Sequence, residues 1–264
     1  MDLGIRGKRA LVTGSSAGIG FAIAAALRRE GAHVVVNGRT VARVDEAVSR
    51  LERSGPGGRV DGIAADLGTR EGALAIIRHT PEVDILVNNV GIFEAKPFEQ
   101  ISDEGWTQLF ETNVMSGVRL SRHHLPGMKD RGWGRIVFIS SESALNIPAE
   151  MIHYGMTKTA QLAVSRGLAE TTAGTGVTVN AVLPGPTRSE GVARFVEELG
   201  RQQGKTPPEV EADFFRTLRP SSLLRRFATP DEVADLVAYV CSARAAATNG
   251  AALRVDGGVV RAIA

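Results

Sequence analysis

Ala10-Leu11-Val12-Thr13-Gly14-Ser15-Ser16-Ala17-Gly18-Ile19-Gly20-Phe21-Ala22-Ile23 is the stretch on which the fold turns. It opens as a short apolar run suited to a buried strand, passes through three glycines, and enters an alanine-rich helical pattern. Glycines at this junction allow a tight turn, close approach of the backbone to a pyrophosphate, and close packing of helix on strand. A helix starting there presents unpaired N–H groups and a partial positive charge to phosphate oxygens. An ordinary strand-to-helix turn has the same spacing, so the weight comes from what surrounds it.

Working outward, short β-branched runs alternate with longer helical patterns. The expected strands are Ala10–Thr13, His33–Asn37, Val60–Ala64, Asp84–Asn88, Arg135–Ser140, Val177–Leu183 and Ala252–Val255. Helical patterns fill the intervals, among them Gly18–Glu30, Val41–Ser54 and Ser102–His124. Such alternation predicts an α/β fold: a Rossmann-type, doubly wound parallel sheet of about seven strands with helices on both faces. Thr229, Pro230 and Glu232 mark a late helix start through a capping box. No linker or repeat interrupts residues 1–264, so a single domain is expected, with one irregular excursion at 190–227 that reads as a lid. Its Phe195, Leu199, Phe214, Phe215 and Leu218 suit either an apolar pocket or the buried faces of two short helices.

Composition narrows the function class. Apolar residues make up 43% of the chain, and 31 basic against 29 acidic residues leave a net charge of +2. That balance, without a basic cluster or aromatic platform, argues against nucleic acid and against an anionic membrane surface. Cys241 is the only cysteine, which precludes an intrachain disulfide and suits a reducing compartment. The opening residues lack a signal-peptide pattern, and the apolar run Phe21–Leu27 is too short to span a bilayer. A cytoplasmic protein without a metal site is the expectation.

The second strand carries the cofactor choice. Where NAD-specific sites place a carboxylate on the adenosine ribose, this chain has Gly38, followed by Arg39. A planar cation there suits a 2′-phosphate, so NADP(H) is expected over NAD(H), with Asn37 and Ser16 adding neutral hydrogen bonds. Asp66 and Leu67 follow the third strand, where they would meet an adenine; a helix cap near Thr69 is the other reading of Asp66. Asn88-Asn89-Val90-Gly91 follows the fourth, with Asn side chains able to tie strand ends together and Gly91 open to a ligand.

Tyr154 and Lys158 lie four residues apart on a helical pattern and share one face. A tyrosine near pKa 10 is a poor proton-transfer group at neutral pH, and a lysine one turn away favours its phenolate. Ser141, at the end of the fifth strand, is placed to hold a substrate oxygen while charge develops on it. Asn113 sits inside a helical pattern that disfavours asparagine, with a water linking Lys158 to solvent as its suggested role. His153 points about 100° away from Tyr154 and is read as a pocket-rim or structural residue.

Together these residues resemble the classical short-chain dehydrogenase/reductase family from Lys8 to Gly258. The family's Thr-Gly-x-x-x-Gly-x-Gly loop matches Thr13–Gly20, its Asn-Asn-Ala-Gly element matches Asn88–Gly91 with valine at 90, and its closing motif resembles Val255-Asp256-Gly257-Gly258. The resemblance implies a catalytic tetrad of Asn113, Ser141, Tyr154 and Lys158. It implies a cofactor site of Gly14, Ser16, Gly18, Ile19, Gly20, Arg39, Asp66, Leu67, Asn89, Gly91, Tyr154, Lys158, Pro184, Gly185 and Thr187. It also implies a homotetramer acting on a small carbonyl or alcohol. An NAD-dependent dehydrogenase of the same fold and a non-catalytic dinucleotide sensor are the alternatives. Residues 186–191 open the excursion, where the family varies with substrate.

Overall fold

Runs of valine and isoleucine with no polar alternation are the composition of strands covered on both faces. In the computed structural model they form β1 (Arg9–Val12), β2 (His33–Gly38), β3 (Val60–Ala64), β4 (Ile85–Asn88), β5 (Gly134–Ile139), β6 (Val177–Pro184) and β7 (Ala252–Val255). The structure describes residues 1–263, except the side chains of Arg194, Phe195 and Leu199, so the reading of Phe195 and Leu199 lies outside what is described. All pairings are parallel, in one sheet ordered β3-β2-β1-β4-β5-β6-β7.

Strand periodicity divides the core in two. Val34 and Val36 join a cluster with Ile23 and Leu27 of α1 (Gly18–Arg29), Leu51 of α2 (Val41–Arg53) and Val237 of α9 (Pro230–Val240). Val35, between them, faces the other way, into a cluster with Ile76 of α3 (Arg70–His79), Leu120 of α5 (Ser116–Asp130) and Ala169 of α6 (Ile152–Glu170). The sheet is therefore doubly wound. Its order reverses between β1 and β4, and crevices at such reversals, beyond the carboxyl ends of the strands, are where ligands bind.

One expected helix differs. The pattern at Ser102–His124 is α4 (Asp103–Phe110), a π-helical turn at Glu111–Met115, and α5, which continues past Pro126 to Asp130. Ser102 starts it by accepting a hydrogen bond from Gly105 N (3.3 Å). A single π turn keeps the backbone helical, so helical pattern alone does not set it apart from its flanks.

Between β6 and α9 lie α7 (Glu190–Gln203) and α8 (Pro207–Thr217), separated by Gly204 in the left-handed region (φ 64°). Thr206 and Glu209 form a capping box at the start of α8. Val196, Val210, Phe215 and Phe227 give the excursion a small core of its own. Its base is closed by Arg188 N donating to Ala228 O (2.8 Å) and Ala228 N donating to Pro186 O (2.9 Å). Among the described residues, no helix is long and apolar enough to cross a membrane.

Candidate active site

The glycine loop is held from beneath by side chains of neighbouring strand ends. Thr13 Oγ1 accepts from Asn89 N (2.8 Å) and Val90 N (3.0 Å), and Asn89 Nδ2 donates to Thr13 O (2.9 Å) and Gly14 O (3.1 Å). Gly20 is the position where only glycine fits: an added Cβ would lie 2.4 Å from Gly14 O and 2.5 Å from Asn89 Nδ2. Asn37 Oδ1 accepts from Gly14 N (3.1 Å), and its Nδ2 donates to Ile63 O (3.2 Å) and Ala65 O (3.1 Å). Asn37 thus shapes the loop, and it also lines the cavity beside it. Ala17 provides no side-chain cap for α1, which leaves the opening N–H groups of that helix without that acceptor. A dinucleotide's phosphates fit that vacancy in the donor set.

Beside this loop is a cavity of about 740 Å³ lined by Gly14, Ser16, Gly38, Arg39, Asp66, Leu67, Asn89 and Gly91. Thr40 and Arg43 also line it and were not anticipated; Arg43 stands in the first turn of α2, four positions after Arg39. A Cβ on Gly38 would meet Ser16 Cβ, Ser16 Oγ and Val44 Cγ2, each at 3.2 Å. Asp66 Oδ1 accepts from Gly68 N (2.9 Å), while Thr69 caps α3 through Gly72 N (3.1 Å), so Asp66 is not the helix cap.

Asn89 and Gly91 also wall a second cavity of about 210 Å³. Ile19, Ser141, Tyr154, Lys158, Pro184, Gly185 and Thr187 converge on it from four different parts of the chain. Phe93 and Val192 complete its apolar side, and neither carried a motif that would have marked it. Phe93 packs edge-on against the Tyr154 ring, with centroids 6.1 Å apart. Gly185 needs its missing side chain, since a Cβ would lie 2.5 Å from Asp256 O. Thr187 Oγ1 donates to Gly185 O (2.9 Å). Asn113, also expected in the tetrad, stands outside this lining and holds the loop below Gly91. Its Oδ1 accepts from Ile92 N (2.8 Å), and its Nδ2 donates to Ile92 O (2.9 Å) and Thr157 Oγ1 (3.0 Å).

The electrostatics differ from the simple expectation. Burial pushes the Tyr154 phenol up to about 12, opposed by a hydrogen bond from Ser141. Lys158 does not lower it in this arrangement: its Nζ is turned to Ile139 O (3.0 Å) and Gln161 Oε1 (3.3 Å), 5.5 Å from the centre of the phenol ring. Burial also pulls the Lys158 ammonium down to about 7.

With this geometry in view, comparison with known proteins is decisive. A family profile described as short chain dehydrogenase matches residues 8–200. The chain belongs to the short-chain dehydrogenases. An uncharacterized oxidoreductase of Bacillus subtilis, YvaG, is 46% identical over all of both chains. The D-beta-hydroxybutyrate dehydrogenase of Cupriavidus necator is 34% identical, covering 97% of this chain and 99% of that protein. Among solved structures, L-sorbose reductase from Gluconobacter frateurii, complexed with NADPH and L-sorbose, superposes with a TM-score of 0.94 at 35% identity over the whole of both chains.

Two further features of this short-chain dehydrogenase adjoin Ser141 and Tyr154 along the chain. Glu142, directly after Ser141, is buried and accepts from Arg219 Nε (3.0 Å), at the end of the excursion's second helix. Its Oε2 has no hydrogen-bond partner among the described residues, while Arg219 also reaches Glu150 (3.5 Å). His153 is fully buried, stacks edge-on against Trp106 (5.8 Å) and lines neither cavity, which makes it structural. In the excursion, Phe214, Phe215 and Phe227 pack on one another, and Leu218 is exposed.

Proposed function

We propose that the protein is an NADP(H)-dependent oxidoreductase that interconverts a carbonyl and a secondary alcohol, with Tyr154 as proton donor and acceptor. The observation that carries this is the convergence of Ser141, Tyr154 and Lys158 on one small cavity that shares a wall with an arginine-lined one. Bound NADPH supplies a hydride to the carbonyl carbon. Gly14, Ser16, Gly18, Ile19 and Gly20 with the start of α1 would hold its pyrophosphate, Arg39 and Arg43 its 2′-phosphate, and Asp66 and Leu67 the adenine side. Asn89, Gly91, Pro184, Gly185 and Thr187 would flank the nicotinamide, with Lys158 on its ribose. The relative bound to NADPH supports the same cofactor choice here.

Ser141 holds the substrate oxygen while Tyr154 supplies the proton. A phenol pushed up to about 12 keeps that proton at neutral pH, the form that donates during reduction. Asn113 acts by fixing the loop that carries Gly91. The chain is further proposed to work in the cytoplasm as a homotetramer, for which light scattering after size exclusion is the test of assembly.

The deciding experiment is NADPH oxidation by the purified protein against a panel of aliphatic and cyclic ketones, acyl thioesters and keto sugars. Turnover on at least one member should fall by a factor of about 10² to 10⁴ in Tyr154→Phe, with NADPH binding retained. A Phe variant with near-normal turnover would sink the role given to Tyr154.

A further inference from the structure

We infer that Gln161 is a positioning residue for Lys158, its side-chain amide fastening the lysine to the main-chain carbonyl of Asn113. The inference rests on the proton-transfer reading above and adds a member to its machinery. Its starting point is the π-helical turn at Glu111–Met115, flanked on both sides by α-helix. Such a turn disturbs the regular carbonyl ladder and releases backbone acceptors for other partners. Asn113 O takes its hydrogen bond from Gln161 Nε2 at 2.6 Å. The other end of the same amide, Oε1, accepts from Lys158 Nζ at 3.3 Å. Lys158 and Gln161 are three positions apart on α6 and share a face, and both are buried.

The amide has only one workable orientation. Asn113 O can only accept, and the ammonium can only donate, so Nε2 must face the first and Oε1 the second. A flipped amide would oppose two donors and two acceptors at once. Gln161 is therefore a rigid spacer between α6 and the π turn, with a dipole aimed at the lysine. An amide is neither an acid nor a base in the neutral range, so it fixes Lys158 without taking up or releasing a proton.

No carboxylate faces Lys158 among the described residues. Tyr154 approaches from α6, Ile139 O from β5, Asn113 from the π turn and Gly91 from the loop beneath, while the charges of Glu142 and Arg219 act on Tyr154. The ammonium is held by two neutral carbonyl oxygens, Ile139 O and Gln161 Oε1. Losing one of two acceptors should move its titration by about one pH unit, the usual scale for a hydrogen bond to a charged group.

The test follows NADPH binding through nicotinamide fluorescence across the neutral pH range. Wild type should show a step in affinity that is absent in Lys158→Met, a baseline that also subtracts the nucleotide's own phosphate titration. Gln161→Met, similar in length but without the acceptor, should move the step to lower pH, and Gln161→Glu should move it to higher pH. A merely structural Gln161 would lower the melting temperature of both variants and leave the step in place, which overturns the inference alone. If Gln161→Met fails to fold, Gln161→Glu decides, because a carboxylate beside the ammonium must raise the step. A wild-type profile with no step, or one unaltered in Lys158→Met, removes the underlying role of Lys158 and the inference with it.

Discussion

Arg219→Met should be among the most destabilising single changes on this chain, although the arginine belongs to the connection between two elements. Its partner Glu142 has a side chain only 4% exposed and Arg219 itself only 9%, so neither charge is relieved by water. Removing the cation leaves the carboxylate buried with Oε2 already unpartnered and Oε1 newly so. Breaking one side of a buried pair typically costs about 3–5 kcal/mol. The exposed pair Arg226–Glu232, at 47% and 43%, sets the scale for comparison, since water screens it and loss of the arginine should cost little. Glu142→Gln added to Arg219→Met removes the stranded charge and should recover most of the loss. Urea denaturation of wild type, both single variants, the double variant and Arg226→Met measures the cycle. The same cycle should be visible at Tyr154, whose phenol is pushed up by Glu142 and drawn down by Arg219. If Arg219→Met costs no more than Arg226→Met, or the double variant is no more stable than Arg219→Met, the buried charge is not what matters.

Lys158→Met should stabilise the fold while abolishing function. Burial lowers the lysine from 10.5 to about 7, so between those values the unfolded chain holds a proton that the folded one lacks, and wild-type stability rises with pH across that window. The advantage of methionine should therefore be full below about pH 7 and fade toward 10.5, and melting temperatures showing the opposite trend would contradict it. Gly38→Asp with Arg39→Ser should shift the ratio of kcat/KM for NADPH over NADH by about ten- to a hundredfold toward NADH, from the loss of charge-assisted bonds to the phosphate. Hydrogen exchange should show α7 and α8 less protected than β1 and β4, slowing when NADPH and a carbonyl substrate are both present; protection equal to the sheet and unchanged by ligand would remove their role as a lid.

The sheet was legible because its evidence is local. Val34-Val35-Val36 and Ile85-Leu86-Val87 read as strands on their own, and Thr13–Gly20 reads as a strand-to-helix turn without knowledge of anything distant. The cavity-lining residues with motif positions, from Gly14 to Thr187, were visible for the same reason. What escaped was set by contacts between distant segments. Glu142 and Arg219 stand 77 residues apart, and nothing in the surroundings of either announces the other. Phe93 and Val192 are ordinary apolar residues until the fold sets them beside Tyr154. Asn37 sits at the cavity where a ligand contact was plausible, and four backbone groups of the chain itself also engage its side chain. The sign of the Tyr154 shift was missed because proximity along a helix says nothing of burial, and burial dominates both it and Lys158.

Gly38 carries an evolutionary consequence. An acidic side chain there would change which nucleotide is favoured, yet any Cβ arrives 3.2 Å from both Ser16 and Val44. A lineage drifting from one nucleotide to the other therefore meets crowding before it gains an attraction. Trimming buried Val44 to alanine relieves one of those two contacts at some cost in core packing, so the order of substitutions matters: the permissive change must come first. Under the proposed NADP(H) assignment, a change of cofactor is resisted by packing around Gly38 as well as by the arginines that line the cavity.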